Sequence, residues 1–338
     1  MERSLSIWLF IALIIIFIQV IIGGTTRLTE SGLSITRWEV VKGSLPPLNE
    51  AAWQAQFDLY KQTPQYEKVN KGMTLADFKF IFFWEWLHRV WGRVGFMFLV
   101  GVWLLMARKL NRQNHQRFAI LLALFAAQGL LGWIMVKSGL VDMPRVSHYR
   151  LTAHLLLAIF LFAYILWWIA DLLTPAAAKI NNTPLKKALY GIIGITVLQI
   201  IYGGFMSGLR AAIHYPSFPD MNGYFVPPTL FFMEPFYLNF FENIATVQFM
   251  HRLIAYILTA LIIWYYVKYK KENITNTYFR KALNLLPFVL LTQVTLGISV
   301  LLLSADGTIP VLLGVAHQAT GLVLLSTLLF AAFQFKGE

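Results

Sequence analysis

The sequence predicts an all-α polytopic membrane protein: eight transmembrane helices arranged as two pseudo-symmetric four-helix bundles. Three observations predict it. Of 338 residues, 58% are hydrophobic and only 13% charged, a balance too apolar for a soluble domain. Apolar runs of about 20 residues, enough to cross about 30 Å of hydrocarbon, recur eight times. The polar residues inside those runs also repeat, at a nearly constant offset between the two halves of the chain.

The runs lie near 5–24, 86–107, 117–136, 151–170, 187–206, 247–267, 282–303 and 312–333. No small-x-small cleavage site follows the first run, and it carries a motif of the later ones. It therefore reads as a retained span and not as a signal peptide, and there is no Arg-rich, acid-poor transit sequence. Arg108, Lys109, Arg112 and Arg117 lie between spans 2 and 3, and Lys268, Lys270, Lys271, Arg280 and Lys281 join spans 6 and 7. The positive-inside bias makes these loops cytoplasmic. Lys179, Lys186 and Lys187, with Arg3 and Lys336, put both termini on that side as well. The net charge of +12 is thus a matter of topology, which argues against a nucleic-acid partner.

The opposite side receives the 25–80 and 207–246 segments. The first is too polar to cross, yet its tryptophans, Pro46-Pro47 and regular apolar spacing predict a folded lid. Thr74-Leu75-Ala76-Asp77 has the form of a capping box, and the aromatics from Phe78 to Trp86 suit a helix entering through the headgroup layer. The expected organisation is an N-terminal half over 1–170 with its extramembrane loop, a cytoplasmic linker at 171–186 and a C-terminal half over 187–338. There are no cysteines. That excludes disulfides, thiolate ligands, Fe–S clusters and a C-x-x-C-H haem linkage, so any metal falls to His, Met, Tyr or carboxylate.

Every odd span carries Gln-x-x-x-Gly: Gln19/Gly23, Gln128/Gly132, Gln199/Gly203 and Gln293/Gly297. Every even span carries a histidine near its outer end: His88, His154, His251 and His317. The offsets between halves are 163 for His88 to His251, 165 for Gln128 to Gln293 and 163 for His154 to His317. The longer first loop stretches the Gln19 to Gln199 offset to 180.

Two imidazoles from alternate helices at similar depth suit a haem iron gripped from opposite faces, with the glycines clearing room for the macrocycle. Arg89, Arg93 and Arg252 stand within about a turn of a candidate ligand, where guanidiniums can pair haem propionates. Taken singly, these features have plainer readings. One histidine at a membrane interface is usually just hydrogen-bonded, and Gln-x-x-x-Gly alone is a helix-packing motif. Four histidines in register across a duplicated chain favour ligation. His115 falls in a basic cytoplasmic loop and is expected to be solvated, while His148 and His214 in outer loops read as structural. The halves differ at one position: Glu85 precedes His88 by three residues, and Gln248 takes that place before His251. An acid at only one of two similar sites points to chemistry there and electron storage at the other. The plainer reading pairs Glu85 with Arg89 or a lid residue.

At these residues the chain resembles the heme A synthase family, in its long-first-loop form of Gram-negative bacteria and mitochondria. The resemblance covers nearly the whole chain. Besides Glu85-x-x-His88-Arg89 it includes Gly23-Gly24-x-x-Arg27-Leu28-Thr29-x-Ser31-Gly32-Leu33-Ser34, Pro46-Pro47, Gly92-Arg93 and Gly203-Gly204 with Gly208-Leu209-Arg210. Phe218-Pro219-x-Met221-x-Gly223, His251-Arg252 and His317-Gln318 complete it. The cysteine pair that some forms carry in the first loop is absent, so no thiol step is assigned, and residues 211–217 are atypical.

The resemblance implies oxidation of the C8 methyl of haem O to a formyl group in two successive steps, giving haem A for terminal oxidases. It places haem O between His88 and His154 with Glu85 at the reactive edge, and a haem b cofactor between His251 and His317. It also implies a bacterial inner (plasma) membrane location. A haem O synthase, an electron acceptor, membrane lipid and further copies of this chain stand as candidate partners. Two rivals remain at this stage. A diheme cytochrome b would use the same four histidines to hold two permanent haems. A transporter would also show duplication, but here the repeats are parallel and the charges cluster at one face.

Overall fold

The computed structural model describes residues 2–37, 42–139, 144–174 and 179–336. Among them the regular structure is helical, with only isolated bridges such as Ile180 to Phe335. The ten α-helices are α1 (Glu2–Leu28), α2 (Glu50–Tyr60), α3 (Pro64–Lys68), α4 (Leu75–Met106), α5 (Arg112–Gly139), α6 (His148–Leu173), α7 (Thr183–Leu209), α8 (Ile244–Tyr269), α9 (Thr277–Leu302) and α10 (Val311–Phe333). All but α2 and α3 are long and apolar enough to cross a membrane, which gives the expected eight spans.

Several helices outrun the apolar stretches that predict them, because a helix satisfies its own backbone and need not stop where hydrophobicity does. In α1 the polar end is accommodated by hydroxyls that bond back one turn: Thr25 to the Ile21 carbonyl at 3.1 Å, Thr26 to Ile22 at 2.8 Å and Thr29 to Thr25 at 2.8 Å. At the start of α4 the Thr74–Asp77 capping box forms as expected. Asn49, Thr63, Asn182, Asn243 and Asn276 cap α2, α3, α7, α8 and α9 with side-chain oxygens, filling the orphan N–H groups of the first turn.

The chain forms two compact units, Ile14–Leu161 and Met1–Leu13 with Phe162–Glu338. In the first, α2 and α3 pack on the opening turns of α4 through Phe57, Tyr60, Phe78, Ile81 and Phe82. The Phe57 and Phe78 rings stack with centroids 5.0 Å apart. The buried Tyr60 hydroxyl donates to Gln65 and accepts from Asn70, and burial pushes its pKa up to about 12. Gln65 in turn donates to the Glu30 carbonyl at 2.9 Å. The lid is thus a folded element with its own aromatic core. Hydrogen bonds join α1 to α4, among them Thr26 to the Trp84 carbonyl at 3.1 Å, Gln19 to the His88 carbonyl at 3.1 Å and Trp91 to the Ile15 carbonyl at 2.9 Å.

In the second unit the dense core lies at the linker end of α7–α10, where Leu189, Ile262, Tyr265, Leu286 and Leu328 are sealed from solvent. At the other end a smaller cluster of Tyr202, Phe205, Val247 and Ile254 joins α7 to α8. There the 224–243 segment is ordered by two buried asparagines. Asn239 bonds Met233 and Phe236, and Asn243 bonds Thr229 and Asn239 while capping α8.

Candidate functional site

Each candidate histidine sits on an even span and faces the glycine of the odd span before it. A Cβ added at Gly23 would lie 3.1 Å from His88 Nε2, at Gly132 3.0 Å from His154 Cε1, at Gly203 3.5 Å from His251 Cε1 and at Gly297 2.8 Å from His317 Cε1. The glycines therefore clear room for the imidazole itself, whereas the sequence suggested clearance for a macrocycle. One turn back, the glutamine of the same motif reaches the same histidine. Gln19 donates to the main-chain carbonyl of His88. Gln128 donates to that of His154 at 3.0 Å, with its amide nitrogen 3.2 Å from the ring Nε2. The Gln199 amide nitrogen lies 3.2 Å from each ring nitrogen of His251, and that of Gln293 is 3.3 Å from Nε2 of His317. His317 Nδ1 lies 3.1 Å from the Gln293 main-chain oxygen. A carbonyl only accepts, so Nδ1 carries the proton and Nε2 the free lone pair.

The residues fit a haem. The His88 and His154 ring centroids are 6.5 Å apart. Two Fe–N bonds of about 2 Å, with each ring centre about 1 Å beyond its nitrogen, call for about 6 Å. Among the described residues no three His, Asp or Glu side chains converge as a bare-ion site would need, so a facing imidazole pair suits a metal whose equatorial donors come from a porphyrin. Among the described residues the amide oxygens of Gln19, Gln128, Gln199 and Gln293 are all sealed without a hydrogen-bond partner. Such a cost, about 1–3 kcal/mol per group, recurs at every histidine.

The flanking residues hold the overlying segments. Glu85, 2% exposed, accepts from Arg89 at 2.5 Å, from the Ser34 hydroxyl at 2.7 Å and from the Ile35 N–H at 2.8 Å. Arg89 also donates to the Ile35 carbonyl at 3.2 Å, so both main-chain groups of Ile35 are gripped. In the second unit Gln248 donates to the Tyr215 carbonyl at 2.8 Å, and Arg252 donates to the carbonyls of Tyr215 at 2.8 Å and Asp220 at 2.6 Å. The Ser217 hydroxyl, a Gly223 backbone bond and the Arg252 charge hold the Asp220 carboxyl below its ordinary value. Arg93 reaches the Gly43 carbonyl at 3.4 Å. The arginines expected at propionates thus have main-chain carbonyls among their partners. Ser34, Ile35, Tyr215 and Asp220 escaped the sequence reading as contacts. Three of the four act through backbone atoms that leave no side-chain signature, and only Ser34 stood in a quoted motif.

The other histidines lie apart. His115 differs from its expected solvated state. It is half-buried, accepting at Nδ1 from Trp103 at 3.0 Å with Nε2 3.1 Å from the Ala107 carbonyl, because the turn after α4 leaves that carbonyl needing a donor. His148 is buried at the start of α6 against the Tyr149 ring. His214 is exposed, and its carbonyl accepts from Asn222.

A family described as cytochrome oxidase assembly protein matches residues 6–329. Among curated relatives, the heme A synthase of Nitrosospira multiformis is 42% identical, over 100% of this chain and 95% of its own. That of Flavobacterium psychrophilum is 42% identical over 99% of both chains. That of Parvibaculum lavamentivorans is 42% identical over 96% of this chain and 92% of its own.

The glycine contacts yield a direct test. An alanine at 297 forces the His317 ring to move or the helices to part, an overpacking cost of about 1–3 kcal/mol. If the His317 ring is a haem ligand, Gly297→Ala is expected to lose haem absorption from purified protein. Gly194→Ala, where a Cβ meets nothing within 4 Å, is expected to keep it.

Proposed function

The chain belongs to the heme A synthase family, and from that premise we propose how its two histidine pairs divide the labour. It is an oxidoreductase that converts haem O to haem A. In our reading haem O lies between His88 and His154, and haem b between His251 and His317. The observation that supports this division is the replacement of Glu85 by Gln248 in two otherwise matching arrangements. Both side chains stand one turn before a histidine and hold the overlying segment, but only the carboxylate is an acid–base group; the amide is not.

Converting the C8 methyl to a formyl group replaces two C–H bonds by a C=O bond in two successive oxidations; with that oxygen drawn from water, protons are released together with the electrons that pass to the acceptor. Arg89 and Arg93 stay protonated and cannot accept a proton. Glu85 is the acceptor within a turn of His88, and one of its oxygens becomes free when Ser34 and Ile35 lift. Arg89 and Arg93 orient the propionates of haem O, and Arg252 serves haem b in the same way. When bound, haem b supplies one-electron transfer to the reaction. Its pocket contributes two neutral imidazoles and, in Gln248, an amide that seals the segment above it.

The basic residues at the α4–α5, α6–α7 and α8–α9 connections support a cytoplasmic side for those loops and for both termini. The protein is then a multi-pass component of the bacterial inner membrane, with both haem sites toward the outer face. Haem O arrives from a haem O synthase, and the electrons leave to an acceptor.

Four expectations follow from this reading. His251→Ala and His317→Ala should each remove the low-spin haem b signal from purified protein. His88→Ala and His154→Ala should instead leave haem b in place, abolish haem A and make cells accumulate haem O. Normal haem A in either of the last two overturns the substrate assignment. Glu85→Gln, which keeps shape but not proton exchange, should retain haem b and bind haem O yet lower haem A formation at least ~100-fold, the usual worth of a general base. A wild-type rate would reduce Glu85 to a partner of the lid. For topology, alkaline phosphatase fused after residue 60 or 225 should be active and after 112 or 272 inactive. The reverse pattern refutes the orientation.

A further inference from the structure

We propose that the segment from Tyr224 to Phe241 is an interfacial membrane anchor, which seats Phe232, Phe236 and Tyr237 in the headgroup layer of the bilayer beside α7 and α8. The proposal is independent of which haem the His251 pair takes.

The segment lies outside the spans, yet its surface is apolar. Tyr224, Phe225, Val226, Phe232, Phe236 and Tyr237 are 54% to 76% exposed. Glu234 is the single charged residue in the segment, and no lysine or arginine occurs from 211 to 251. The α2 and α3 region of the other unit is built the opposite way. It turns Phe57 and Tyr60 into its own core and leaves Asp58, Glu67, Lys68 and Lys71 exposed. Six apolar side chains left in water forgo the hydrophobic free energy that α2 and α3 gain by folding inward, and such a surface marks a contact with something apolar.

Contacts fix its depth. Asn239 bonds both main-chain groups of Met233 and the Phe236 carbonyl, and it accepts from Asn243, the cap of α8. Phe232 and Phe236 therefore flank one junction at the end of a span. The Phe231, Phe236 and Phe240 rings pack together with centroids 5.5 to 5.8 Å apart, and Phe241 packs on Phe205, one turn inside α7, at 6.1 Å. Earlier in the same loop the Phe218 ring lies 6.4 Å from that of Tyr256, an exposed residue of α8, and Arg252 holds the carbonyls of Tyr215 and Asp220. Residues 252 and 256 fall inside the apolar run of α8, so the loop runs down the flank of the span.

The 26 residues of α8 reach about 39 Å, against about 30 Å of hydrocarbon and about 40–45 Å with both headgroup layers. Its first turn, and the cluster bonded to it, thus stand among headgroups. That layer takes aromatic rings with polar tips, such as Tyr224 and Tyr237, and it is wet enough for Glu234, whose charge bars a deeper seat. Without basic residues the attachment is hydrophobic and independent of anionic lipid.

Because the chain has no cysteine, a single nitroxide can be attached to full-length protein in nanodiscs of neutral lipid through Phe232→Cys, Tyr237→Cys or, in the lid, Asp58→Cys. Collisions with oxygen, which partitions into lipid, and with a water-soluble nickel chelate report where each label sits. At 232 and 237 oxygen should dominate and at 58 the chelate, with no change when anionic lipid replaces neutral lipid or salt is raised. If the labels at 232 and 237 behave as at 58, the surface faces water and the proposal is overturned. Exclusion of both reagents there means that protein covers the surface, a second copy of this chain included, and overturns it too, as does a seat that forms only with anionic lipid. If Phe232→Cys does not fold, Tyr237→Cys decides alone.

Discussion

The arrangement depends on a missing side chain. At 23, 132, 203 and 297 the helix backbone lies where a Cβ would come within 2.8 to 3.5 Å of a histidine ring, so glycine lets an imidazole lie against the neighbouring helix. Because the histidine always belongs to the next span, the repeating element is smaller than half the chain. It is a pair of consecutive spans, Gln-x-x-x-Gly on the first and histidine on the second, used four times. Two such elements face each other through His88 and His154. The His251 and His317 elements repeat the pattern. Among the described residues neither pair gathers a third protein donor, which suits a ligand that brings its own equatorial donors.

On this common frame the two sites diverge at a single hydrogen-bonding group. Glu85 and Gln248 occupy matching positions and both tie down the segment that overlies their histidine, but with opposite polarity. The carboxylate accepts from Ile35 and Ser34, and the amide donates to Tyr215. The segments carry the complementary groups, an N–H and a hydroxyl in one case and a carbonyl in the other. Glu85→Gln in one site, or Gln248→Glu in the other, thus alters both proton exchange and the attachment of a loop. The two contributions separate when product formation and binding of haem are followed together.

Much of this was legible in the sequence because it was written in side chains with strong physical preferences. Eight apolar runs, the Thr74 capping box and the fourfold Gln-Gly and His pattern needed only length, periodicity and the cost of polar groups in hydrocarbon. The helix ends were less legible, since threonines 25, 26 and 29 bond to their own helix and extend it beyond its apolar core. His115 was misjudged for a related reason. Its loop is basic and polar, yet the ring is held by Trp103 and an uncapped carbonyl. The grip on Ile35, Tyr215 and Asp220 was illegible because main-chain atoms carry no residue identity. The purpose of the glycines needed coordinates, since spacing alone does not say whether a gap admits a neighbouring ring or a ligand.

The packing of the second unit follows from the same division between frame and site. Its dense core, from Leu189 to Leu328, is confined to the linker end of α7–α10, while at the histidine end the buried cluster joins only α7 and α8. On the proposed assignment of haem b to His251 and His317, these helices leave room for a planar macrocycle and cannot fill the space between them with leucine and phenylalanine. They draw their stability from the far end, where side chains interdigitate at the density of a protein interior. A helix is stiff over such a span, since each residue adds about 1.5 Å of hydrogen-bonded rod, so packing at one end sets the separation at the other. The large apolar residues near the linker therefore belong to the site in a mechanical sense, by holding His251 and His317 at a spacing that the local contacts alone do not impose.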